Sequence, residues 1–69
     1  MIDAMWVGET LRNLRAAKRL SMREVAEKVG ITVSSLAMIE RGERTPRDDV
    51  KVRLAHYYGQ KVGELFYGE

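Results

Sequence analysis

Residues 21–42, SMREVAEKVGITVSSLAMIERG, decide how this chain folds. Ser21 is a helix N-cap, and Glu24 stands three positions on as its capping-box partner. Val25, Ala26 and Val29 recur at helical spacing as a buried stripe, leaving Arg23, Glu24, Glu27 and Lys28 on the wet side. Gly30 ends this helix, because a residue without a Cβ enters the left-handed conformation that closes a helix C-terminus without a clash. Thr32 is the next cap. A second helix over 33–41 then buries Leu36 and Ile39 and stops at Gly42.

Two short helices joined by a glycine turn make a helix-turn-helix, whose second helix can enter a DNA major groove while the first lies across the backbone. Upstream, Val7, Leu11, Leu14 and Ala17 fall at helical spacing and predict an amphipathic helix with Arg12, Asn13, Lys18 and Arg19 outward. Gly8 near its start is expected to cost little. The first six residues show no clear pattern, and Trp6, the single tryptophan, is expected to cap one end of the core. Downstream, residues 43–45 read as a loop, with Thr45 as cap and Pro46 as first residue of a helix over 46–58. Asp48 and Asp49 suit the first turn of that helix, where carboxylates favour the helix dipole. Val50, Leu54 and Tyr57 or Tyr58 would face the core, Gly59 would end the helix, and a last helix over 61–66 would add Val62, Leu65 and Phe66. No strand pattern, repeat or linker divides the chain, so one all-α, five-helix domain over 1–69 is expected.

Composition narrows the functions. Sixty-nine residues suffice for one small core, in the size range where a chain buries only about 60% of its unfolded surface. The absence of cysteine leaves no disulfide framework or thiolate metal site and fits a reducing cytoplasm. Neither a secretion signal nor a membrane-length apolar run is visible. Formal net charge is only +2, but its distribution is uneven. Residues 10–23 hold Arg12, Arg15, Lys18, Arg19 and Arg23 with no acid, and Arg41, Arg44, Arg47, Lys51 and Arg53 cluster after the second motif helix. Folded around that helix, parts of both clusters would make a basic rim for phosphate; otherwise they are a solvated surface.

Enzyme chemistry finds no purchase. His56, the sole histidine, has no partner at metal or triad spacing and reads as a solvated helix residue. Asp48 and Asp49 point about 100° apart on a helix and cannot converge on one substrate. No phosphate-cradling glycine loop occurs. No catalytic residue, metal ligand or cofactor is assigned.

The run LRNLRAAKRLSMREVAEKVGITVSSLAMIERGERTP (11–46), followed by VRLAHYYGQKVGELF (52–66), resembles the Cro/repressor-type, xenobiotic-response-element-like helix-turn-helix proteins of phages and bacteria. The resemblance implies a lambda-repressor-like fold and a cytoplasmic transcription regulator, a repressor, bound to duplex DNA as a homodimer. It places Val33, Ser34, Ala37 and Met38 at base edges. None is an Arg, Lys, Asn or Gln of the kind that reads guanine or adenine by paired hydrogen bonds, so specificity should lean on thymine methyls, DNA shape and half-site spacing. The phosphate set implied is Arg23, Ser35, Arg41, Arg44 and Arg47, with Met22 contributing only its backbone N–H where relatives often carry glutamine. Arg15 and Glu40 are implied to form an internal salt bridge. The apolar, aromatic C-terminus, with Tyr57, Tyr58, Phe66 and Tyr67, is the expected dimer surface. The alternative function is a protein-interaction module that grips another protein through the apolar Val33, Ala37 and Met38 face.

Overall fold

The computed structural model describes residues 2–69 and, among them, consists of five helices with no strand. They are α1 (Ala4–Ala17), α2 (Met22–Val29), α3 (Val33–Glu40), α4 (Asp48–Tyr58) and α5 (Val62–Tyr67). The caps explain most boundaries. Ser21 Oγ accepts from the Glu24 N–H at 3.1 Å and Thr32 Oγ1 from the Ser35 N–H at 3.0 Å, caps of a kind worth about 1 kcal/mol each. Gly30 (φ 81°) and Gly59 (φ 66°) close α2 and α4 in the left-handed conformation.

Three boundaries depart from the sequence pattern. Helix α1 begins inside the stretch that showed no pattern, because Asp3 Oδ1 accepts from the Trp6 N–H at 2.9 Å and caps it; Met1 lies outside the described residues. Helix α4 starts at Asp48, two residues later than Thr45-Pro46 suggests. Its N-cap is Arg47, with no side-chain hydrogen bond, while Pro46 is buried and Thr45 exposed in the approaching loop. At the end of α1, Arg19 takes a positive φ of 54° as its N–H reaches the Ala16 carbonyl at 3.0 Å, a conformation that costs a non-glycine residue about 1–2 kcal/mol.

Leu11, Leu36 and Leu54 are completely buried, one each from α1, α3 and α4, with Val25 and Val29 of α2 beside them. Each such leucine contributes about 1.5–3 kcal/mol. Leu65 and Phe66 close the core from α5, and Ala55, which the spacing did not single out, is buried as well. The last apolar position expected of α1, Ala17, is exposed. Trp6 does not cap the core: it is 43% exposed beside Met5 at 71%, because the inward positions of α1 are taken by Val7, Gly8 and Leu11.

Gly8 is the second correction on α1, since its backbone lies directly against the C-terminal end of α3. A Cβ there would overlap the carbonyl oxygens of both Ile39, at 2.6 Å, and Glu40. Absence of a side chain is what lets α1 cross α3 this closely.

Candidate nucleic-acid interface

Each residue of an α-helix advances about 100° around the axis. On α3 this sends Leu36, Ile39 and Glu40 inward, where all three are buried, turns Ser34 and Met38 away from them with Ala37 at the border, and leaves Val33 accessible at the first turn. Val33 is 45% exposed and Ser34 exposed, while Ala37 and Met38 are half-buried. An α-helix with its side chains is about 10–12 Å across, which a B-DNA major groove about 12 Å wide admits. The face is mostly apolar, with Ser34 supplying its hydroxyl.

A two-pronged ion pair anchors this helix from behind. Arg15 Nε and Nη2 donate to the two Glu40 carboxylate oxygens at 2.9 and 3.0 Å, and Arg15 Nη1 donates to the Leu20 carbonyl at 3.1 Å. Among the described residues Glu40 is the one charged residue of the core. Donating to the Glu40 carboxylate raises the Arg15 pKa further above its already high ordinary value, so the guanidinium remains charged. Helices α1 and α3 and the α1–α2 turn are thereby tied at one point. Tyr58 lies in the same region; its buried hydroxyl has no hydrogen-bond partner among the described residues, and desolvation, with the nearby Glu40 charge next, pushes its pKa up to about 12.

The cations around α3 differ in how they are held. Arg41 donates to Glu43 at 2.9 and 3.3 Å, an exposed pair in which the Glu43 carboxyl is held below its ordinary range. Arg47 and Arg53 share Asp49, at 3.6 and 2.9 Å. Arg23 and Arg44 are exposed and in no ion pair among the described residues. Arg44 Nη1 instead donates to Ser35 Oγ at 3.3 Å, which aligns the guanidinium along the flank of α3. Met22 begins α2 with its side chain packed against the core, so only its backbone faces out.

Between the starts of α3 and α4 lies a groove of about 390 Å³ bordered by Thr32, Ser35, Arg44, Thr45 and Arg47. Two of these, Thr32 and Thr45, were read from the sequence only as caps. Their shared position beside the groove depends on the path of the 41–47 loop, which local patterns do not specify. Of the four aromatic residues expected at a dimer surface, Tyr58 and Phe66 are buried in the core. That correction leaves half-buried Tyr57 and exposed Tyr67. Among the described residues no group of three or more His, Cys, Asp or Glu could hold a metal ion, and no helix is long and apolar enough to cross a membrane.

Comparison with known proteins gives one consistent result. A family model described as a helix-turn-helix domain matches residues 6–65. The chain is 31% identical over 55 residues to the cryptic phage CTXphi transcriptional repressor RstR of Vibrio cholerae, an alignment covering 80% of this chain and 50% of RstR. It is 41% identical over 54 residues to YobD, an uncharacterized HTH-type transcriptional regulator of Bacillus subtilis, covering 78% of this chain and 48% of YobD. The chain thus spans about half the length of these two relatives. Among solved structures, the restriction-modification controller protein C.AhdI of Aeromonas hydrophila superposes with a TM-score of 0.83 at 33% identity, covering 91% of this chain and 96% of that one.

Proposed function

The chain belongs to the helix-turn-helix domain family, and from that premise we propose that it is a non-enzymatic transcription regulator, a repressor, binding duplex DNA with α3 in the major groove. One observation carries the reading: Leu36, Ile39 and the Arg15-held Glu40 fix α3 from behind, leaving Val33 and Ser34 exposed and Ala37 and Met38 partly so. Apolar side chains at these positions favour thymine methyls, with Ser34 donating to or accepting from an adjacent base. Arg23, Ser35, Arg41, Arg44 and Arg47 contact phosphates. Backbone N–H groups at the start of α2, near Met22, and of α4, near Arg47, add to them.

The protein works in the cytoplasm as a homodimer on inverted repeats whose half-sites are one helical turn, roughly 34 Å, apart. Tyr57 and Tyr67 contribute to the dimer surface.

Selection of genomic fragments retained by the purified protein, followed by gel shift across a salt series, tests the reading. Wild-type protein should enrich an inverted repeat, and its log affinity should fall linearly with log salt. Arg44→Ala should flatten that line by about one unit, because one phosphate contact is lost. A protein that retains no duplex at low salt would end the regulator reading, and an unchanged slope would strike Arg44 from the phosphate set.

A further inference from the structure

A second groove lies on the other side of the 44–46 segment. It has a volume of about 260 Å³, and its apolar walls come from Ile2 ahead of α1, from Ala4 and Val7 in its first turn, from Pro46, and from Phe66 of α5. Such a volume falls a little below the roughly 300 Å³ at which drug-sized ligand sites begin, so the ligand it suits is small. Arg44 and Lys51 border it, together with Tyr67 and Asp3.

Lys51 is held there with a single long ion pair, to Asp48. Its side chain is 13% exposed, and its ammonium sits 4.8 Å from the Tyr67 ring centroid and 5.9 Å from that of Phe66. Lys51 Nζ donates to Tyr67 Oη at 2.9 Å, while the nearest carboxylate, that of Asp48, is 3.8 Å away on a side chain almost wholly in solvent. An ammonium has three protons to donate, and the aromatic faces and one phenol leave it able to accept an anion. The groove also holds one carboxylate, Asp3, whose Oδ1 caps α1 through the Trp6 N–H, and two cations against this one anion leave the lining net positive. Arg44, which has no carboxylate partner, supplies the second cation.

We propose that this groove is a binding site for a small monoanionic carboxylate with an apolar body, the body against Val7 and Phe66 and the carboxylate on Lys51 and Arg44. Arg44, Thr45 and Pro46 form a wall common to this groove and to the polar groove beside α3. A carboxylate on Arg44 therefore draws its guanidinium away from Ser35 and from a DNA phosphate, and the ligand weakens DNA binding. That second step rests on the regulator reading above; the site itself does not.

Phenylacetate and its uncharged counterpart phenylacetamide are suitable probes, followed by calorimetry and amide chemical-shift perturbation on the DNA-free protein. Phenylacetate should perturb Val7, Lys51 and Phe66, and phenylacetamide should bind about tenfold or more weakly, as expected for loss of a charge-assisted hydrogen bond. Lys51→Met should narrow the difference between the probes, leaving only what Arg44 supplies, and Lys51→Arg should keep it in full, which separates charge from packing. Equal binding of the two probes, or no perturbation along the groove at millimolar concentration, overturns the site. Phenylacetate at a concentration that saturates the wild type should lower its duplex affinity severalfold and lower that of the more weakly binding Lys51→Met by less. Binding without that effect overturns the coupling to DNA. Because the ligand measurements contain no DNA, failure of the duplex assay alone counts against the regulator reading and not against the groove.

Discussion

Glu40→Ala removes the carboxylate that receives both prongs of the Arg15 guanidinium, at 2.9 and 3.0 Å. Stranding one member of a fully buried pair costs about 3–5 kcal/mol. Here Glu40 is 4% exposed, but the Arg15 side chain is 17% exposed and keeps its bond to the Leu20 carbonyl. Partial access to water lowers the expected cost to about 2–3 kcal/mol. Since 1 kcal/mol moves the midpoint of a domain this small by about 4–8 °C, Tm should fall by on the order of 10–20 °C. Glu43→Ala, three residues on, is the internal control. Its carboxylate pairs with Arg41 where both side chains are more than half exposed, and solvent screening leaves such a pair little to lose. Thermal unfolding followed by far-ultraviolet circular dichroism compares them directly. A double-mutant cycle sharpens the test: Arg15→Leu with Glu40→Leu should be less destabilised than the sum of the single changes, because neither charge is then stranded. Equal melting temperatures for Glu40→Ala and Glu43→Ala would refute the idea that this pair orients α3 on α1.

Gly8→Ala should destabilise by about 1–3 kcal/mol through overpacking against the Ile39 and Glu40 carbonyls. In a free helix the same change would stabilise by about 0.5–1 kcal/mol, so the sign of the shift in a urea titration decides. Arg19→Gly relieves the positive φ at the end of α1 and should raise stability by about 0.5–1 kcal/mol once the greater freedom of glycine in the unfolded chain is deducted; a lower Tm would show that the Arg19 side chain contributes more than its backbone strain removes. Tyr58→Phe should leave stability at neutral pH unchanged or higher, since the buried hydroxyl it deletes has no partner among the described residues. With its folded pKa pushed up to about 12 from 10.0, the Tyr58 phenol leaves stability independent of pH below 10 and lowers it as pH climbs from 10 towards 12, where the unfolded chain ionises first. The alkaline fall in wild-type stability should therefore be shallower in Tyr58→Phe, and identical alkaline limbs would contradict the assignment.

The helices and the motif were legible in the order of the residues because caps and periodicity act over a few positions. Ser21, Gly30 and Thr32 each work through their own backbone and that of residues three or four away, and the alternation of apolar with polar side chains marks a buried face whatever packs on it. Long-range relations left no such mark. Gly8 reads as an incidental glycine until α1 is laid on α3, and Trp6 reads as a core residue until Val7 and Leu11 are seen to occupy the inward positions. The aromatic pair Tyr57-Tyr58 shows the same limit. Spacing alone cannot divide two adjacent rings between core and surface, whereas packing of α4 buries Tyr58 and leaves Tyr57 half-exposed.

What the amino-acid order determined by itself is therefore the set of five helices, the turn between α2 and α3, and which side of α3 is wet, because all of these follow from local hydrogen bonding and a 3.6-residue period. What only the tertiary structure decided is which cations remain unpaired and where they lie. Arg41 and Arg47 have found carboxylates, Arg15 is drawn inside, and Arg44 alone is set between two grooves. Electrostatic pairing depends on distance through space, and that distance is established when the helices close on Leu11, Leu36 and Leu54.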